Sequence, residues 1–133
     1  MQNKAINLPE VLAEFTPVFH AYEAALLTHD VAALNAFFWD SPEVLRYGIT
    51  EHSHGIDALK AYRAATAPVN PQRVLLRTQL ITFGDTFATA NTEFMAPDNR
   101  LVGRQSQAWV KMQGRWLITS AHVSMIDPDL LKG

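Results

Sequence analysis

The sequence predicts an α+β fold: a cone-shaped, curved antiparallel sheet with N-terminal helices packed on its concave face. Three observations predict it. Apolar residues in the first half recur at helical spacing. The second half holds four long segments rich in β-branched and apolar residues, separated by short turn signals. The whole chain is 133 residues and contains no linker longer than Ala67-Pro68-Val69-Asn70-Pro71, so residues 1–133 read as a single domain. Helices first and hairpin-linked strands afterwards is the order of a segregated α+β protein. A curved sheet closed on one side by helices leaves a conical cavity, where a ligand would sit.

The elements follow in order. Leu8, Val11, Phe15, Val18, Phe19, Tyr22 and Leu26 form one apolar stripe of a first helix. Pro9 suits its first turn, whereas Pro17 falls inside the stripe and predicts a kink or break. Asp30 is an N-cap for a second helix, Val31 to Phe38, stopped by Trp39-Asp40-Ser41-Pro42. Val44 to Ile49 reads as a short strand and Thr50 to Gly55 as a polar turn. Ile56, Leu59, Ala61, Tyr62 and Ala65 mark a third helix that ends before Pro68. The long strands are Arg73 to Phe83, Thr86 to Ala96, Arg100 to Met112 and Trp116 to Met125. Gly84-Asp85, Pro97-Asp98-Asn99 and Gly114 supply the turns.

Composition narrows the chemistry. Hydrophobic residues are 48% and charged residues 18%, too apolar for a disordered, solvating chain. With no cysteine there is no disulfide, thiolate nucleophile or iron–sulfur cluster. A net charge of -2 gives no nucleic-acid signature. The stretch MQNKAINLPE lacks the apolar core of a signal peptide, and no apolar run is long enough to span a bilayer. A cytoplasmic protein, away from membranes, is expected. Seven of the eleven basic residues are arginine, which suits planar, bidentate recognition of carboxylates and hints at an anionic small ligand. Gly48, Gly55 and Gly84 are isolated, so there is no Gly-rich phosphate loop, and no G-x-S-x-G elbow supports a serine triad. Glu51-His52-Ser53-His54 has the look of a metal set, yet lies in a turn-like segment without a third ligand at diagnostic spacing, so no metal is expected.

Single residues leave two readings each. Tyr22 lies in the apolar stripe; its phenol is either satisfied in the core or faces the cavity as a proton or hydrogen-bond donor. Arg46 shares a strand face with Val44 and Gly48, which leaves room beside the guanidinium; it is a paired surface arginine or a carboxylate clamp. Arg104 and Ser106 share a face, either lining the pocket or exposed. His122 alternates with Trp116, Ile118 and Ser120 and is a core histidine or a residue of the pocket rim. Trp39 packs or walls the ligand. Leu75, Ile81 and Val110, if outward, would suit a dimer face.

Several strings carry a family resemblance over nearly the whole chain. They are Phe37-Phe38-Trp39-Asp40-Ser41-Pro42, Arg46-Tyr47-Gly48, Gly55, Tyr62-Arg63, Gly103 to Val110, Trp116, Ile118 and Ala121-His122-Val123-Ser124. Together they resemble a small family of the nuclear transport factor 2-like (SnoaL-like) superfamily, whose cone fold also serves scytalone dehydratase, ketosteroid isomerase and polyketide cyclases. Its members are linked to amidase-signature hydrolases of bacterial nitrogen catabolism and include the 1,3-dicarboxyurea amidohydrolase of cyanuric acid breakdown and relatives in oxalurate catabolism. The resemblance implies a cofactor-free cytoplasmic enzyme acting on a small anionic urea-derived substrate. It implies Tyr22 and Arg46 as the catalytic pair; the reading of the single residues adds Trp39, Arg104, Ser106 and His122 as substrate-binding candidates. Fold analogy adds a homodimer. Two other classes stay open: a dimeric, non-catalytic ligand-binding or accessory subunit of a larger amidase, and a cone-fold isomerase or dehydratase.

Overall fold

The structure is a computed structural model that describes residues 5–132. Three helices, α1 (Pro9–Thr28), α2 (Val31–Ala36) and α3 (Ile56–Ala65), pack on one six-stranded, curved and unclosed sheet. Its strands are β1 (Leu45–Tyr47), β2 (His52–His54), β3 (Val74–Phe83), β4 (Phe87–Ala96), β5 (Asn99–Met112) and β6 (Arg115–Ile126). The spatial order is β2-β1-β6-β5-β4-β3. A short 3-10 turn, Pro128–Leu131, follows.

α1 runs unbroken through Pro17, against the expected kink or break. Proline removes one backbone donor. Burial of Val11, Phe15, Phe19, Tyr22 and Leu26, each at most 7% exposed, outweighs that loss. The helix ends at His29 in the left-handed region (φ 51), and Asp30 then caps α2 by accepting from Ala33 N–H at 3.1 Å. α2 stops at Ala36, short of the expected Phe38. The reason is strand-like pairing of residues 37–39 with β6: Ile118 N–H donates to the Phe37 carbonyl at 2.8 Å, and Trp39 N–H donates to the Ile118 carbonyl at 2.9 Å. Glu14 ties α1 to the sheet by accepting from Lys111 at 2.9 Å and from the Trp116 indole at 2.8 Å.

The sheet departs from the expectation in two places. The four long strands pair antiparallel, but β1 lies parallel to β6, with Arg46 opposite Ala121. Residues 52–54, read as a turn, form the edge strand β2 against β1. Only Ser53 of the three is buried, and so short a polar segment carries no apolar alternation to recognise.

Two bulges decide which side chains face the helices. Ala108 pairs with Ser120 but Trp109 with Ile118, so Thr119 is the extra residue. Trp116 and Ile118 are buried on the inner face, whereas beyond the bulge Ser120 and His122 turn outward and Ala121 and Val123 inward. Leu76 is a similar extra residue on β3, so Leu75 packs against the core while Arg77, Gln79 and Ile81 face out. The inner face of β4 and β5 carries Ala88, Ala90, Thr92 and Phe94 opposite Trp109, Gln107, Gln105 and Gly103. One core results, in which Phe15 lies 5.4 Å from Trp109 and 5.0 Å from Trp116, ring centre to ring centre.

Candidate active site

At one end the inner face is not filled by core. Here α1, α3, β1 and the inward residues of β4, β5 and β6 enclose a cavity of about 390 Å³. That volume suits a small organic ligand.

Tyr22 reaches the cavity from α1. Its ring is wedged edge-on between Phe37 at 5.6 Å and Phe38 and Trp109, each at 6.1 Å. Burial pushes the phenol above its ordinary value, and the guanidiniums of Arg63, Arg46 and Arg73 oppose that only in part. The hydroxyl is therefore protonated near neutral pH and is a donor.

Arg46 points inward from β1, as its pairing with Ala121 requires. Its Nη1 donates to Glu51 Oε1 at 2.6 Å, and its guanidinium carbon lies 4.7 Å from the centre of the Tyr62 ring. Gly48 makes the space: a Cβ there would collide with the Glu51 carboxylate and lie 2.8 Å from Arg46 Nη1. Arg73, just before β3, donates through Nε and Nη2 to both oxygens of Glu23, at 2.8 and 2.7 Å. Its guanidinium stacks on Phe94 at 4.1 Å. Phe94 in turn lies over Gly103, where a Cβ would collide with the ring.

Arg63, Gln105 and Gln107 complete the polar wall. None of the three is among the site residues expected from the sequence. Arg63 could have been found, because it continues the spacing of the buried Ile56 and Leu59 along α3 and so places a charge on an apolar stripe. Gln105 and Gln107 alternate with Trp109 on the buried side of β5, whereas Arg104 and Ser106 lie on the other side.

Of the expected site residues, Tyr22, Arg46 and, at the rim, His122 line this cavity. Trp39 does not; it is half-buried and packs against the core. Arg104 and Ser106 are exposed on the outer face, where Ser106 hydrogen-bonds Asn91 at 2.6 Å. His122 touches only the cavity rim, and its ring packs against Tyr47 at 5.5 Å on the outer face. The Thr119 bulge is the cause, since it separates His122 from the face of Trp116 and Ile118. The rings of His52 and His54 lie 5.0 Å apart on the edge strand. Among the described residues no three His, Cys, Asp or Glu side chains cluster as a metal set, and no helix is long and apolar enough to cross a membrane.

Comparison with known proteins matches residues 4–129 to one family, described as AtzH-like. No curated protein matches the chain. A cystatin-like fold protein from Burkholderia xenovorans is 44% identical, with 91% of this chain and 95% of that one aligned at a TM-score of 0.89. A protein of unknown function from Pectobacterium atrosepticum is 40% identical, with coverages of 95% and 98% and a TM-score of 0.91. A nuclear transport factor 2-like superfamily protein from Salmonella enterica is 21% identical, with coverages of 88% and 92% and a TM-score of 0.69, and shares the fold.

Proposed function

The chain belongs to the AtzH-like family, and from that premise and the cavity we propose a cofactor-free cytoplasmic amidohydrolase, or decarboxylating hydrolase, of a small N-carboxylated urea or ureide acid. Conversion of 1,3-dicarboxyurea to allophanate is the example. The observation that carries the reading is a buried, protonated phenol, Tyr22, in a cavity that also holds Arg46, Arg63 and Arg73. An N-carboxylate loses carbon dioxide when its nitrogen keeps the electron pair of the breaking N–C bond and takes up a proton. Tyr22 delivers that proton, and the resulting phenolate is stabilised by the neighbouring guanidiniums until water reprotonates it. Arg46, fixed by Glu51 and Tyr62, orients a substrate oxygen with the donors that remain to it. The scheme needs neither nucleophile nor metal.

The test is carbon-13 NMR of freshly generated 1,3-dicarboxyurea with wild type and Tyr22→Phe. Accelerated formation of allophanate, abolished in the variant, is expected. Equal rates for the two proteins would remove the proton-delivery role. A second reading, a dimeric partner subunit of a larger amidase, draws on Val74, Leu76, Phe83 and Phe87, which are exposed along β3 and β4. It predicts no acceleration of any ureide acid by the protein alone.

A further inference from the structure

The three arginines of the cavity are not equivalent. Arg46 already has Glu51, and Arg73 already has Glu23. Arg63 is 4% exposed and, among the described residues, has no carboxylate within ion-pair distance and no hydrogen bond from its side chain to any protein acceptor. Its Nε is fully shielded and unpartnered. A buried cation without a counter-charge is strongly disfavoured unless something else supplies the negative charge.

Two further buried donors in the same wall are unpartnered: Gln105 Nε2 and Gln107 Nε2. Gln107 has no freedom to turn its amide round, because its Oε1 accepts from the Trp109 indole at 2.9 Å. Its NH₂ is thereby committed as a donor. Native proteins rarely bury polar atoms in this condition, and three donors orphaned in one cavity call for a ligand that brings acceptors.

We infer that Arg63, with the side-chain amides of Gln105 and Gln107, anchors the substrate: Arg63 takes a carboxylate, and the amides take carbonyl or carboxylate oxygens of a ureido acid. The inference deepens the proposed function by naming what holds its substrate, and it bears on binding, which is separable from turnover. Arg46, with one of its arms held by Glu51, is then an orienting group and not the main counter-charge. Arg63 and Tyr22 line the same cavity, so the anchored group shares it with the proton donor.

The experiment is calorimetric titration of the full chain with oxalurate, which carries one carboxylate and ureido carbonyls, and with biuret, which has the carbonyls and no charge. Wild type is expected to bind oxalurate and to bind biuret at least about tenfold more weakly, because a charge-assisted contact is the stronger kind. Arg63→Met is expected to lose oxalurate affinity by about tenfold or more while melting no lower than wild type, since an unpaired charge gives way to an apolar chain of similar length. A folded Arg63→Met that keeps wild-type affinity, or a wild type that binds neither probe, would overturn the assignment. Should Arg63→Met not fold, Gln107→Met decides: the same loss of affinity supports the anchor, and unchanged affinity overturns it. Tyr22→Phe is carried in parallel. Oxalurate binding without turnover of 1,3-dicarboxyurea would sink the amidohydrolase reading and leave the anchor standing.

Discussion

Changing Glu23 to glutamine would keep the shape of the side chain and strip the counter-charge from Arg73. The pair joins α1 to the start of β3 through two hydrogen bonds, with Glu23 8% and Arg73 7% exposed. Breaking a buried pair from one side leaves an uncompensated charge and costs about 3–5 kcal/mol. Arg73 also borders the cavity, where water can enter, so the lower end, about 3 kcal/mol, applies. An unfolding entropy of roughly 2.1 cal/mol/K per residue over 133 residues converts this to a fall in Tm of about 10 °C. Urea unfolding followed by circular dichroism, with calorimetric Tm alongside, measures it. The double change Glu23→Met with Arg73→Met should recover most of the loss, because well-packed apolar groups replace buried pairs at little net cost. A single variant within about 1 kcal/mol of wild type, or a double variant as unstable as the single, would refute the reasoning.

Gly103→Ala should destabilise by about 1–3 kcal/mol and weaken ligand binding, since the new Cβ displaces Phe94 and with it the platform under Arg73. Chemical denaturation and a ligand titration of the variant check both effects. Arg104→Ala should leave turnover of the ureide acid within about twofold of wild type, as single surface changes away from the cavity lining usually do; steady-state rates decide it. Alkaline titration read at 295 nm should show a phenol, absent from Tyr22→Phe, that ionises above the ordinary tyrosine range. The native state holds that proton more tightly than the unfolded chain does. The associated stability is therefore complete below the ordinary tyrosine value, about 10, and is lost as pH rises through the raised native value. Tyr22→Phe should flatten that alkaline fall.

The order of elements was legible because each rests on local rules. Apolar periodicity marked α1 and α3, Asp30 marked the start of α2, and Gly84, Asn99 and Gly114 fall at or beside the hairpin turns. Tyr22 could be placed on a buried stripe from spacing alone, and Arg46 on a strand face beside Gly48. Pro17 shows where local rules lose: its cost is fixed, and the burial that outweighs it comes from the sheet.

Which face of a strand meets the helices is not a local property. An alternating pattern gives two sets of side chains, and one extra residue exchanges them. Thr119 and Leu76 are such residues, and nothing in their own chemistry marks them; each bulge exists only against the neighbouring strand. The Thr119 bulge is why His122 could not be assigned a side from sequence; on β5 the alternation of Arg104 and Ser106 with Gln105 and Gln107 runs unbroken, and burial of Trp109 in the core decides which set faces inward. The same holds for charge. Seven arginines suggest an anionic ligand, but pairing is decided by contacts between distant segments: Glu23 meets Arg73 across 50 residues, while no acid reaches Arg63 among the described residues. The amino-acid order by itself determined the helices, the four long strands, the turns between them and a buried phenol. The tertiary structure alone decided which polar groups share the cavity and which of them lack partners, because burial and pairing belong to the assembled chain.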